Sequence, residues 1–159
     1  MKDFRSGRHV VHLLHAHLVF TTKYRRGAIT TGRVRDLLAE VMTSVADDMG
    51  AEVVAVEADG DHVHLLICYP PHLALSRLVN SLKGVSSRKL REKGWPEVTS
   101  RLCGKAFWSP SYCVVSCGGA PLDVVKAYME TQAAPGRIRT GAMRRATEKE
   151  KRQARSALP

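Results

Sequence analysis

Several absences narrow this chain before any motif is read. No apolar run approaches the roughly 20 residues that a helix needs to cross a bilayer, so no membrane span is expected. The opening residues MKDFRSGRH lack the apolar stretch of a secretory signal peptide, and a cytoplasmic location is the expectation. Cysteine is sparse: Cys68, Cys103, Cys113 and Cys117 contain no C-x-x-C pair. The spacing of Cys113 and Cys117 also misses the usual zinc-knuckle pattern. Buried free thiols in a reducing compartment are therefore expected, not a disulfide framework. No internal repeat is present, and 159 residues suit one domain of ordinary size with a real core.

Acidic residues are also short, with 15 Asp+Glu against 25 Lys+Arg and a net charge of +10. The imbalance is uneven. Residues 1–132 hold 17 basic against 13 acidic side chains, whereas residues 133–159 hold 8 against 2. A basic chain favours a polyanion, and nucleic acid is the default partner; charge that serves only solubility is the alternative.

The segment His9 to Thr22 (HVVHLLHAHLVFTT) reads as one strand. From His15 it alternates, with His15, His17, Val19 and Thr21 on one face and Ala16, Leu18 and Phe20 on the other. A basic turn, Lys23 to Arg26, follows. Thr30 or Thr31 can cap a helix whose stripe is Val34, Leu37, Leu38, Val41, Met42 and Val45, stopped at Gly50. Ala51 to Ala58 and His62 to Tyr69 read as a hairpin turning at Asp59-Gly60-Asp61. Leu75 to Arg91 reads as a second helix, broken by Gly94 and Pro96. Ser111 to Ser116 reads as a fourth strand. After a Gly118-Gly119 joint, Pro121 opens a last helix that runs to about Gln132. The order β-α-β-β-α-β-α predicts an α+β fold. Its first six elements match the ferredoxin-like (RRM-like) plan, a four-stranded antiparallel sheet with two helices on one face. The C-terminal helix is the addition. The third strand is central, which leaves one sheet face free for chemistry. Residues 1–135 form the single domain, and 136–159 a basic tail that is disordered or folds on binding.

Chemistry centres on His62-Val63-His64. In a strand both imidazoles point one way while Val63, Leu65 and Ile67 enter the core. Two neutral imidazoles on one face can hold a divalent ion; a buried or solvated histidine pair is the plainer reading of a lone H-x-H. Tyr128 and Gln132 lie four residues apart, hence on one helical face. A metal-binding histidine pair beside a phenol and an amide suggests phosphodiester chemistry with a tyrosine nucleophile. Gln132 can supply a third, oxygen ligand, one turn beyond the nucleophile. The alternative for Tyr128 is an ordinary tyrosine of an amphipathic helix. Tyr69 and Tyr112 read as packing residues. Lys23, Tyr24, Arg25 and Arg26 can meet nucleic acid, as can Lys83, Arg88, Lys89 and Arg91; solvated faces are the alternative for each. Phe107 and Trp108 fit core packing better than base stacking. His17 reads as structural, and Asp61 as a turn residue and not a ligand.

Taken together, these residues resemble the single-tyrosine HUH transposases of small insertion sequences, the TnpA-like group. HUH denotes histidine, bulky apolar residue, histidine. The resemblance rests on HLVFTTKYRR (17–26), DHVHLLI (61–67), LVNSLKGVSSRKL (78–90), FWSPSYCVVSCGG (107–119) and VVKAYMETQ (124–132). It implies metal-dependent cleavage and rejoining of single-stranded DNA carrying subterminal hairpins. His62, His64 and Gln132 are the implied ligands of Mg²⁺ or Mn²⁺. Tyr128 is the implied nucleophile, forming a 5′-phosphotyrosine with a 3′-hydroxyl leaving. A homodimer with composite sites is implied as well, with Gly118-Gly119 letting the tyrosine helix sit in cis or in trans. Two positions depart from the family's pattern: Gly60-Asp61 replaces Pro-Asp before the first histidine, and Thr131 replaces an asparagine before Gln132. The rival expectations are a domesticated relative that processes chromosomal hairpins, a non-catalytic nucleic-acid-binding module, and a hydrolase using water as nucleophile.

Overall fold

A computed structural model describes residues 4–102, 104–118 and Ala127. Tyr128, Gln132, the remainder of the expected last helix, Cys103 and the 136–159 tail lie outside the described residues. Among the described residues the elements run β1 (Arg5–Gly7), β2 (Val10–His12), β3 (His15–Thr21), a short 3₁₀ turn (Lys23–Arg25), α1 (Gly32–Asp48), β4 (Glu52–Asp59), β5 (His62–Cys68), α2 (Leu75–Lys93), α3 (Pro96–Thr99) and β6 (Cys113–Ser116). No described helix is long and apolar enough to cross a membrane.

The four long-range strands form an antiparallel sheet in the order β4-β5-β3-β6, with β5 interior as expected. The expected His9–Thr22 strand is two strands. Val10–His12 pairs with Arg5–Gly7 in a separate hairpin, whereas His15–Thr21 pairs with β5 and β6. The chain changes partners at Leu13-Leu14, where the Leu14 carbonyl accepts from the Tyr69 N–H at 3.0 Å. The fourth strand begins at Cys113, not Ser111, because the Lys83 ammonium holds the carbonyls of Ser109, Pro110 and Ser111 at 2.5, 3.3 and 3.1 Å. Tyr112 is 40% exposed and is no packing residue. Cys68 is buried, but Cys113 is exposed and Cys117 half-buried.

Alternation decides what each face carries. Ala16, Leu18 and Phe20 from β3, and Val63, Leu65 and Ile67 from β5, are fully buried against the stripes of α1 and α2. In β4 a register shift between Val53 and Ala55 inserts one extra residue, so Val53 and Val56 both pack into that core. α2 stops where Gly94 takes a left-handed conformation (φ 64°), and its N–H caps the Arg91 carbonyl. Pro96 then opens α3, which Glu97 staples to α1. Its carboxylate accepts two bonds from Arg33, at 2.6 and 2.7 Å, and one from the Thr31 hydroxyl at 3.0 Å. Thr31 thus stands at the helix N-cap position without capping through its side chain.

Phe107 and Trp108 close the core from the connection before β6. Trp108 meets Phe20 edge-on, with centroids 5.9 Å apart, and its Nε1–H donates to the buried Ser86 hydroxyl at 2.9 Å. Trp108→Ala removes a buried indole and the bond that hydroxyl accepts, although Ser86 still donates to the Leu82 carbonyl at 2.6 Å. The expected cost is about 3–5 kcal/mol of unfolding free energy, read by urea denaturation monitored by far-UV circular dichroism.

Candidate active site

The face of the sheet turned away from α1 and α2 carries the histidines. Cross-strand register puts His15, His17, Val19 and Thr21 of β3 opposite Cys68, Leu66, His64 and His62 of β5. β4 adds Glu57 opposite His64 and Asp59 opposite His62. His62 is half-buried and His64 only 3% exposed, and their ring centroids lie 5.0 Å apart at 90°.

Each imidazole is held through its Nδ1. His62 Nδ1 lies 2.9 Å from Asp61 Oδ1, and His64 Nδ1 lies 2.9 Å from Nε2 of His17, itself 6% exposed. His17 stands diagonally from His64 across the β3–β5 pair, a separation that a long side chain spans. Neither Nε2 of His62 nor that of His64 has a hydrogen-bond partner among the described residues. An ionised carboxylate only accepts, so Asp61 accepts a hydrogen bond from the Nδ1–H of His62, and in the neutral ring the lone pair then lies on Nε2. A carboxylate behind a metal-ligating histidine orients the ring and raises its basicity. The donor set therefore fits a divalent ion. Among the described residues no third His, Cys, Asp or Glu joins the pair into a metal-binding group.

Electrostatics keep His64 in the ligand form. Burial, then the neighbouring His17 and His62, depress the His64 pKa to about 4, so its imidazole is neutral at physiological pH. Burial likewise lowers the His17 pKa. For Asp61 burial works the other way, but hydrogen bonds from His62 and Arg25 hold the carboxyl below its usual range.

Asp61 has a second partner, since its Oδ2 accepts from Arg25 Nε at 2.8 Å. One carboxylate thus ties the His62 ring to the basic turn. The Thr22 N–H donates to the Asp61 carbonyl at 2.8 Å, and the Thr22 hydroxyl donates to the Arg26 carbonyl at 2.7 Å. Held this way, Tyr24 and Arg25 take left-handed φ values of 57° and 51°, a conformation that costs a non-glycine residue roughly 1–2 kcal/mol. Tyr24 is 70% exposed, with Lys23 Nζ 5.6 Å and the Arg26 guanidinium carbon 5.8 Å from its ring centroid.

The other sequence candidates lie apart from this cluster. Lys83 directs its ammonium at three carbonyls of the 109–111 loop, where burial lowers its pKa, so it acts there as a tether. Arg88 and Lys89 share the Glu92 carboxylate on α2 at 3.6 and 3.5 Å. His17, read from sequence as structural, and Asp61, read as a turn residue and lying in the β4–β5 turn, are the side chains that contact the paired histidines. The alternation of β3 already put His17 on the same face as His15, but its reach to His64 depends on which strand lies beside β3.

The profile of the IS200-like transposases matches residues 10–132. ISDra2 transposase TnpA of Deinococcus radiodurans is 33% identical over 130 residues, 82% of this chain and 91% of its own length. The transposase for insertion sequence element IS200 of Salmonella typhimurium is 29% identical over 118 residues, 74% of this chain and 76% of its own. A solved structure of a candidate transposase from Deinococcus radiodurans R1 superposes with a TM-score of 0.64 at 33% identity, covering 80% of this chain and 97% of that one. A REP-associated tyrosine transposase bound to a REP hairpin shares the fold alone, with a TM-score of 0.52 at 16% identity over 80% of this chain and 68% of that one. With the family match running from β2 through the paired histidines to Gln132, the chain belongs to the IS200-like, single-tyrosine HUH transposases.

Proposed function

We propose that this chain is a single-stranded DNA transposase that cuts and rejoins strands at hairpin-marked element ends through a 5′-phosphotyrosine on Tyr128. The observation that carries the reading is the histidine pair, each ring held by Nδ1 so that its Nε2 is left for a ligand. The strand order β4-β5-β3-β6, with the helices on the opposite face, supports a ferredoxin-like catalytic domain over residues 1–135 that includes a last helix bearing the tyrosine.

His62, His64 and the Gln132 side-chain oxygen would hold Mg²⁺ or Mn²⁺. When bound, the ion offsets negative charge developing on the non-bridging phosphate oxygens. The Tyr128 phenol oxygen attacks phosphorus, the P–O3′ bond breaks, and the phenolic proton is lost as the 3′-oxygen leaves as a hydroxyl. One phosphate ester replaces another, so a new 3′-hydroxyl reverses the step without an outside energy source. Lys23, Arg25 and Arg26 supply charge for the DNA backbone, Tyr24 a ring for an unpaired base, and Arg88 and Lys89 a second basic stretch. Two copies with composite sites complete the assembly, and Gly118, with its left-handed φ of 54°, suits the joint that directs the tyrosine helix.

The test incubates the full chain with single-stranded oligonucleotides from its gene's flanks, with Mg²⁺ or with chelator, on a denaturing gel. A metal-dependent covalent protein–DNA band is expected. Cleavage without such a band would assign the nucleophile to water and overturn the reading.

Eight basic residues between 133 and 159 give the tail its part. Deleting residues 137–159 is expected to weaken oligonucleotide binding and flatten its salt dependence, by about 0.7 in log–log slope for each phosphate that the tail had neutralised. Fluorescence anisotropy across a salt series measures it, and an unchanged slope excludes the tail from the interface.

A further inference from the structure

We infer that His17 is a positioning residue which holds His64 in the Nδ1–H tautomer and so aims its Nε2 lone pair at the metal position. The inference rests on the metal reading above and goes beyond it, because it gives a role to a residue outside the proposed ligand set.

The geometry leaves two choices. His17 Nε2 and His64 Nδ1 lie 2.9 Å apart in a buried hydrogen bond, and a single proton sits between them. Were His17 the donor, a neutral His64 would carry its proton on Nε2, and no lone pair would remain there. Were His64 the donor, Nε2 is free to ligate and His17 must carry its own proton on Nδ1. The neighbouring ring favours the second arrangement. His62 is also gripped at Nδ1, there by the acceptor-only carboxylate of Asp61, so the H-x-H pair uses matching nitrogens for support and for ligation. A free histidine side chain prefers its proton on Nε2, so the Nδ1–H form has to be imposed by a fixed acceptor. The near-parallel rings, 23° apart with centroids at 5.1 Å, and the burial of both residues fix that acceptor on one side of His64. β3 and β5 deliver the two rings from positions 47 residues apart, so the pairing exists only in the folded sheet.

Two measurements test the inference. Long-range ¹H–¹⁵N correlation spectra of the metal-free full chain report the tautomer of each ring. Protonated Nδ1 and bare Nε2 on His64 are expected, and the opposite assignment overturns the proposal without any variant. Mn²⁺ titration, followed by electron paramagnetic resonance, then compares the wild-type chain with His17→Leu and His17→Gln. Loss of an outer partner typically weakens metal binding about 10–100-fold, which is the effect expected for His17→Leu. His17→Gln, whose amide oxygen can accept from Nδ1, is expected to recover most of the affinity, and it carries the comparison with wild type if His17→Leu fails to fold. Equal affinity in wild type and His17→Leu, or no recovery in His17→Gln, overturns the proposal. Mn²⁺ binding that requires His62 and His64 but ignores His17 overturns this inference alone. Binding indifferent to His62 and His64 overturns the metal reading and this inference with it.

Discussion

Tyr128→Phe is expected to leave the chain folded and able to bind hairpin DNA while removing the covalent protein–DNA product entirely. The substitution deletes one oxygen and keeps the ring, so helix propensity and packing change little. What disappears is the only atom of that side chain able to bond phosphorus. A free phenol, with a pKa of about 10, is a weak nucleophile at neutral pH, and phenylalanine offers none at all. Loss of an enzyme's nucleophile commonly costs on the order of 10⁴-fold or more in rate. Adduct yield on a denaturing gel, with hairpin affinity measured alongside, gives the comparison. Undiminished cleavage would make water the nucleophile.

The second large effect concerns the histidine pair, where the two positions are expected to part company in stability but not in activity. On the proposed metal reading, either His62→Ala or His64→Ala removes one ligand from the same ion. Transition-state stabilisation worth several kcal/mol goes with it, so cleavage falls by roughly 10²–10⁴-fold in both. Folding responds differently. The His62 side chain is about a quarter exposed and bonds to a surface-turn carboxylate, so its loss costs little. His64 is buried, so its removal empties a packed site and breaks the 2.9 Å bond to His17 Nε2, at a cost of about 1–3 kcal/mol. Single-turnover cleavage at saturating Mg²⁺ and urea melts of both variants measure the pair of effects. Equal cleavage in wild type and either variant would remove the ion from the reaction.

The sequence carried much of this architecture because its signals are local. The alternation in His62–Cys68, with Val63, Leu65 and Ile67 inward, is visible in seven residues, and so is the stripe of α1 that Gly50 ends. What escaped was long-range. One continuous pattern from His9 to Thr22 conceals a change of partner at Leu13-Leu14, since β propensity does not say which strand lies alongside. Val54 is surplus to the β4–β5 register, and the alternation of AEVVAVEA cannot announce a bulge. Lys83 looks like a phosphate ligand in a basic stretch, yet three carbonyls some 26 residues away receive its ammonium. For the site, H-x-H was legible as a motif, whereas its support was only half so. Asp61 is adjacent in sequence, but His17 reaches His64 because β3 lies beside β5.

The measurement closest to the chemistry identifies the atom that holds the DNA. The chain is reacted with a single-stranded hairpin oligonucleotide and Mg²⁺, then digested with nuclease and trypsin, and the nucleotide-bearing peptide is sequenced by tandem mass spectrometry. A phosphodiester-linked nucleotide on Tyr128, within the tryptic peptide spanning residues 127–137, is the expected result. A nucleotide on the exposed Tyr24, or cleaved DNA with no modified peptide, would contradict tyrosine transesterification at Tyr128.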